Sequence, residues 1–260
     1  MHNYCTTLGT LAAVSALGLG NALAGTDAEA QVNAGTRVEY ELHTGYSNEY
    51  LFHGVKLGQD LIEIGADVKA EVSGIALSAS AWYGSFDNAD LSGMNSGADV
   101  GELDLYGQIA KDFGICVTSV GYIYRYFESN EDLTAGTQDL RFSLSRQFQG
   151  VDFALTYFWS IEKAQELPLY YQGYTELAIG RNFEISKCLA LYSGGKLGYL
   201  IEEGQLTAFT TKVSLDWGIS QTAKLSPFVA YSIALNDDNN NASYASRNRL
   251  IGGLMLSVNF

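Results

Sequence analysis

The sequence predicts an all-β chain that folds as a twelve-stranded, antiparallel up-and-down transmembrane β-barrel. Three observations support this fold class. Apolar and polar residues alternate in segments that recur along the chain after residue 30. The connections alternate between tight turns and long polar loops, and aromatic residues recur at one end of several segments. An even strand number with short turns on one side and long loops on the other is typical of outer-membrane barrels.

The composition fits a large β domain that lies in a membrane. The chain of 260 residues contains only 2 prolines but 28 glycines, 17 tyrosines and 12 phenylalanines. Its mean hydropathy is zero, which suits a soluble β-sandwich but also a barrel, because lipid-facing and lumen-facing residues cancel in an average. The net charge of −14 argues against nucleic-acid binding, since phosphates attract basic surfaces.

The first 24 residues are typical of a secretory signal peptide. An apolar run from Leu8 to Gly20 precedes the small-residue cleavage motif at Ala22 to Ala24, although no Lys or Arg stands before Leu8. The run is too short for a membrane-spanning helix. We therefore expect a signal peptide over 1–24, a short periplasmic segment over 25–36 and a barrel in a bacterial outer membrane over 37–260.

Alternation gives each strand two faces. In "LIEIGADVKAEVSG", Ile62, Ile64 and Val68 share one face, and Glu63 and Asp67 share the other. The predicted strands are 37–48, 60–73, 75–86, 101–113, 115–127, 138–149, 151–162, 173–185, 188–201, 205–219, 225–236 and 247–260. The parity of the first strand also extends through "NEYLF" to Tyr50 and Phe52.

The predicted connections differ between the two ends of the barrel. Tight turns are expected at 73–74, 114, 149–150 and 185–187, with a slightly longer one at 220–224. Long polar loops are expected at "NEYLFHGVKLGQ", "DNADLSGMNSGADV", "ESNEDLTAG", "KAQELPLYYQ" and "NDDNNNASYAS", whereas 202–204 is short. The tight turns are expected on the periplasmic side.

Five aromatic residues predict a membrane-interface girdle. Each has outward parity at a tight-turn end, and the first three are 35 residues apart: Phe113, Phe148, Phe183, Trp217 and Phe260. Lys111, Arg146 and Arg181 have outward parity beside these rings. At the rim their charges can reach lipid headgroups. Outer-membrane lipids are therefore expected partners.

The chain ends in "LIGGLMLSVNF", with apolar residues at alternate positions before an aromatic last residue. Leu254, Leu256, Val258 and Phe260 carry this pattern. It resembles the C-terminal targeting signal of bacterial outer-membrane proteins. The resemblance implies that the barrel-assembly machinery recognises the last strand, which must also pair with the first strand to close the barrel.

The segment "TGYSNEYLFHGVKLGQDLIEIGADV" resembles the opening of the TorF/Gcw_chp family of porins. The matching residues are Tyr50, Phe52 and Gly54, and His53 stands where that family usually has Arg. The match covers about the first quarter of the chain after the signal peptide. It implies a porin-like barrel.

The inward parity of charged residues predicts a polar lumen. The expected pore-lining residues are Glu63, Asp67, Lys69, Glu71, Glu102, Asp104, Arg125, Arg141, Glu176, Lys196, Lys212, Asp216, Arg247 and Arg249. Twelve strands enclose a lumen between those of filled eight-stranded barrels and open sixteen-stranded porins. We expect a narrow channel for passive diffusion of ions or small polar solutes. Because acids outnumber bases, cations are expected to pass more readily. No cofactor or metal is implied.

Two other functions fit the same pattern. A sealed barrel can act as a structural or surface-binding protein through its long loops, above all the aromatic segment 169–174. An outer-membrane phospholipase needs a serine activated by a histidine. His43 and His53 are the only histidines of the predicted barrel, and no serine lies at a telling spacing from them. We therefore expect no catalytic residues.

Overall fold

The computed structural model describes residues 38–89, 98–129, 134–161, 172–236 and 247–260. Twelve strands form one closed antiparallel barrel in which each strand pairs with its neighbours in the chain and β12 pairs with β1. The strands are β1 (Val38–Phe52), β2 (Val55–Val72), β3 (Ile75–Asp87), β4 (Val100–Asp112), β5 (Val117–Ser129), β6 (Thr134–Phe148), β7 (Val151–Ser160), β8 (Gln172–Ser186), β9 (Leu189–Leu200), β10 (Gln205–Gly218), β11 (Ala223–Ala234) and β12 (Arg249–Asn259). The described residues contain no helix long and apolar enough to cross a bilayer. The predicted fold class is confirmed.

The seam between the first and last strands closes the barrel. Its register runs from the pair Glu41 and Asn259 to the pair Ser47 and Gly253. Beyond the strand end, the Phe260 amide donates to the Tyr40 carbonyl oxygen at 2.9 Å. Pairing along the whole seam leaves no free sheet edge, which would otherwise expose unpaired backbone groups.

The two faces of the wall differ in chemistry. The outward face carries exposed large apolar side chains on every strand, for example Ile62, Ile109 and Leu250, which are 59–63% exposed. The inward face buries most of the charged and hydroxyl side chains. Alternation produces this arrangement because successive side chains of a strand point to opposite faces.

The tight turns at the end near Val38 and Phe260 have the geometry that hairpins favour. Ser73 and Gly74 have φ of 54° and 72°, and Gln149 and Gly150 have 51° and 73°. Positive φ at both central residues matches the right-handed twist of the flanking strands. These turns lie where the sequence predicts them.

Most predicted strands agree with the structure to within two residues. The main error is the first long polar loop, "NEYLFHGVKLGQ", whereas the predicted extension of the first strand through "NEYLF" is confirmed. There β1 and β2 continue to Phe52 and Val55, and only His53 and Gly54 form the turn, with φ of 50° and 87°. β6 also begins earlier than predicted, at Thr134. The predicted segments 1–24 and 25–36 lie outside the described residues, as do most of the other long loops.

Candidate functional site: the lumen and its inward hairpin

The tip of the β1–β2 hairpin lies inside the barrel. We call residues 50–58 the inward hairpin. Irregularities in both strands precede it: the β1–β2 register shifts between Tyr50 and Leu51, and the β2–β3 register shifts between Gln59 and Ile62, where Asp60 has φ of 50°. Such bulges bend a strand and redirect its side chains. As a result Tyr50, Leu51 and Phe52 are all buried, although the alternation of β1 would expose Tyr50 and Phe52.

The inward hairpin reaches the opposite wall of the barrel. The His53 ring centroid lies 5.0 Å from that of Phe158 on β7 and 3.8 Å from that of Tyr174 on β8. β7 is six strands from β1 in a closed ring of twelve. The hairpin therefore crosses the lumen rather than resting against the wall from which it starts.

Apolar packing holds the inward hairpin on several sides. The Tyr50 ring lies 6.0 Å from the Trp82 ring and 5.1 Å from the Phe86 ring, both on β3. Leu51 packs with Ala230 and Ile251 of β11 and β12. One buried cluster joins the hairpin to β3–β6 and comprises Tyr50, Phe52, Leu57, Leu61, Trp82, Phe86, Ala89, Val100, Phe127 and Ala135. This part of the lumen is filled by side chains.

Arg125 lies at the centre of a buried charged group beside the inward hairpin. Its Cζ atom lies 4.9 Å from the Phe52 ring centroid. Its Nε atom is 3.2 Å from Asp104 Oδ2, and its Nη1 atom donates to Asp139 Oδ2. Glu102, two residues before Asp104 on β4, is completely buried, and its carboxylate oxygens have no hydrogen-bond partner among the described residues. Three acids thus surround one guanidinium group.

A second group of polar residues lies on β1 and β2. His43 Nδ1 is 3.2 Å from Asp67 Oδ2. Trp82 Nε1 donates to Glu63 Oε2 at 2.6 Å. Both contacts link neighbouring strands of the wall.

Further ion pairs lie around the lumen and are more exposed. Lys196 and Glu176 are 3.0 Å apart on β9 and β8. Lys224 and Asp216 are 3.3 Å apart. Arg249 lies 3.3 Å from Glu49, just before the inward hairpin. Opposite charges therefore alternate around the inner wall.

Most of the predicted pore-lining residues face inward, and they differ in exposure. Asp67, Glu102, Asp104, Arg125, Arg141 and Glu176 are buried, whereas Glu63, Lys69, Lys196, Lys212, Asp216 and Arg249 are half-buried. Glu71 is exposed near the Ser73–Gly74 turn. Arg247 lies in an exposed bend before β12 rather than within the strand, so the predicted strand start at 247 is two residues early.

The predicted girdle residues lie at the end of the barrel that carries the tight turns. Phe113, Phe148, Phe183, Trp217 and Phe260 are 44–70% exposed. The Lys111 ammonium lies 5.6 Å from the Phe113 ring and the Arg181 guanidinium 5.0 Å from the Phe183 ring. In the C-terminal pattern, Leu254 is exposed, and Leu256 and Val258 are half-buried.

Sequence reasoning missed the inward hairpin. The parity of Tyr50 and Phe52 and the His53–Gly54 dipeptide were the available signals, since X-Gly between alternating segments indicates a two-residue turn. The predicted aromatic loop segment 169–174 lies largely outside the described residues, and Tyr174 itself packs inward with Leu200.

One serine lies beside a histidine on the described inner wall. Ser257 on β12 is the register partner of His43, and Asp67 is next to the imidazole. Neither Ser257 Oγ nor His43 Nε2 has a hydrogen-bond partner among the described residues, so no hydrogen bond joins this serine to the imidazole. The other described histidine, His53, lies within aromatic packing.

Comparisons with known proteins identify the fold. No protein-family model and no curated protein matches the sequence. The structure is similar to the COG4313 outer membrane channel from Pseudomonas putida F1, with a TM-score of 0.52 and 9% identity over 91% of this chain and 99% of that chain. It is also similar to an active-site mutant of the outer membrane phospholipase A from Escherichia coli, with a TM-score of 0.50 and 13% identity over 85% and 89%. A KdgM porin has a TM-score of 0.45 and 9% identity over 85% and 99%. The fold is that of outer-membrane β-barrels.

Proposed function

We propose that this protein is an outer-membrane channel for ions or small polar solutes, and that the inward hairpin is its constriction. The observation that carries the proposal is a polar inner wall with a hairpin folded across it. Lumen side chains form ion pairs that are partly exposed, such as Lys196 with Glu176. Ion pairs of this kind leave charged groups on the inner wall within reach of water, as a path for ions requires.

The surroundings of the barrel support the membrane placement. The large apolar side chains of the outer wall are exposed. In this proposal they face lipid, the five predicted girdle aromatics contact the periplasmic interface, and the barrel-assembly machinery recognises Phe260 with the alternating residues before it. The resemblance of Tyr50, Phe52 and Gly54 to the TorF/Gcw_chp porins falls on the inward hairpin. In this proposal, that motif builds the constriction.

The charge of the lumen favours cations. Among the described residues, six carboxylates are buried, namely Asp67, Glu102, Asp104, Asp139, Asp152 and Glu176, against the two guanidinium groups of Arg125 and Arg141. Rings of acidic side chains attract cations and repel anions. The channel therefore prefers cations.

Conductance in planar bilayers tests the proposal. Glu49 and Gln59 are register partners, so an Asn-Gly turn can replace residues 50–58 and close the shortened hairpin. We expect small or infrequent steps from the unaltered protein and a several-fold larger conductance from the shortened variant. Asn-Gly in place of Ser73-Gly74, at the opposite end of the barrel, should leave conductance unchanged.

Folding is checked first, by the heat-dependent mobility shift of closed barrels on gels. If the shortened variant folds and remains silent, the channel proposal is wrong. A sealed barrel that binds partners through its long loops is then the better function.

A further inference from the structure

We propose that Glu41, His43 and Asp67 form a binding site for a divalent transition-metal cation of the zinc type on the inner wall of the barrel. A carboxylate oxygen from each acid and a ring nitrogen of His43 all lie within 4.8 Å of one another. Ligands held at about 2.0–2.2 Å from one metal ion lie no more than about 4.4 Å apart, so side-chain shifts of a few tenths of an ångström bring all three onto one ion. The site is independent of the proposed channel function.

The strand register brings the three side chains together. Glu41 and His43 are two residues apart on β1 and so share its inner face. Asp67 is the register partner of Glu41 on β2, and Gly65 is the partner of His43. A Cβ at position 65 would overlap the His43 ring. Glycine there allows the imidazole to lie across β2 toward Asp67.

The imidazole is buried, and one of its two nitrogens has no partner. His43 is 6% exposed and Asp67 is 8% exposed. His43 Nδ1 lies 3.2 Å from Asp67 Oδ2, whereas His43 Nε2 has no hydrogen-bond partner among the described residues. Burying a polar atom without a partner is unfavourable unless something compensates for the lost water. A bound cation supplies that compensation.

The donor set selects the class of metal. One imidazole nitrogen and two carboxylate oxygens suit Zn²⁺ and its first-row neighbours, whereas Ca²⁺ and Mg²⁺ prefer oxygen ligands alone. Three protein ligands leave a fourth position for water. Ser257, directly across the seam from His43, adds a buried hydroxyl oxygen with no hydrogen-bond partner among the described residues.

The surrounding charges set the expected affinity. Glu63 adds a third carboxylate near His43. Lys69 and Lys224 lie close enough to Glu41 to offset part of this negative charge. We therefore expect dissociation constants in the micromolar range rather than those of a dedicated structural zinc site.

The test is calorimetric titration of Zn²⁺ into the purified barrel after treatment with a chelator. We expect one Zn²⁺ per chain and at least a tenfold loss of affinity for His43→Asn, Asp67→Asn and Glu41→Gln. The matched control is Glu176→Gln, which removes a lumen carboxylate on a distant strand and should bind like the unaltered protein. Co²⁺ in place of Zn²⁺ gives a second readout, because its visible absorption reports nitrogen and oxygen ligands directly.

The three variants keep the proposal testable if one of them fails to fold, as judged by the gel shift. The proposal is overturned if the barrel takes up no Zn²⁺ at micromolar concentrations. It is also overturned if the folded variants bind as tightly as the unaltered protein, which would assign the metal to other residues of the chain.

Discussion

Arg125 shows how one side chain determines the electrostatics of the lumen. It is 2% exposed and contacts Asp104, Asp139 and the face of Phe52. Glu102 lies beside this group with no hydrogen-bond partner in the described part of the chain. Several buried carboxylates share a site when a cation offsets their repulsion or when a proton neutralises one of them, and here Arg125 is the cation. Arg125 therefore stabilises both the wall and the hairpin that rests on it.

Replacement of this residue is expected to destabilise the barrel strongly. Arg125→Met removes the cation and leaves the acids uncompensated, which should lower the free energy of unfolding by about 3 kcal/mol or more. The matched control is Lys196→Met, whose ion pair with Glu176 is 27% exposed on the lysine side and should contribute about 1 kcal/mol or less. Urea unfolding followed by tryptophan fluorescence measures both. Equal losses for the two variants would contradict a central role for Arg125.

At the scale of the element, two bulges decide where the inward hairpin points. Asp60 adopts φ of 50° within β2, a conformation that aspartate tolerates and a β-branched residue does not. Its Oδ1 atom also accepts a hydrogen bond from the Tyr46 hydroxyl at 2.6 Å on the outer face. The bulge thus combines a backbone conformation that aspartate tolerates with a hydrogen bond, here called the tether, on the outer face.

Substitutions at this bulge should change how often the inward hairpin occupies the lumen. Asp60→Val disfavours the positive φ by about 1–2 kcal/mol, so the fraction of channels with a displaced hairpin should rise roughly tenfold. Asp60→Gly keeps the conformation accessible and is the control, although it also loses the tether to Tyr46. Single-channel recordings should show more frequent large openings for the valine variant than for the glycine variant. Because both variants lose the hydrogen bond from Tyr46, equal opening frequencies would mean that this hydrogen bond, not the backbone conformation, holds the hairpin.

The inward hairpin also marks the limit of prediction from sequence. Alternation gives the face of each side chain, so it placed Glu102, Asp104 and Arg125 inside the barrel. It does not give the partner on the next strand, because pairing depends on register, and a bulge shifts register without an obvious signal. For the same reason the segment before His53 was predicted as a polar loop. Its burial depends on contacts with β7 and β8, which lie far away in the sequence.

At the scale of the whole molecule, closure turns local alternation into an enclosed polar space. β12 completes the ring by pairing with both β1 and β11. Gly253 permits this seam, because a Cβ there would overlap the Tyr46 carbonyl oxygen and the Phe228 ring. With every strand edge paired, the inner wall is separated from lipid. Its excess of acidic side chains therefore acts on any ion that enters the lumen.

Ion selectivity of the opened barrel tests this picture as a whole. In the variant lacking residues 50–58, a salt gradient should give a diffusion potential that is positive on the dilute side, because the acidic wall passes cations more readily. Glu176 and Lys196 form an ion pair. Neutralising either residue therefore changes the wall charge at the same place, but in opposite directions. Glu176→Gln should reduce the potential, and Lys196→Gln should increase it, with folding verified by the gel shift in both cases. A potential of the opposite sign, or equal shifts in one direction, would show that the wall charges do not govern permeation.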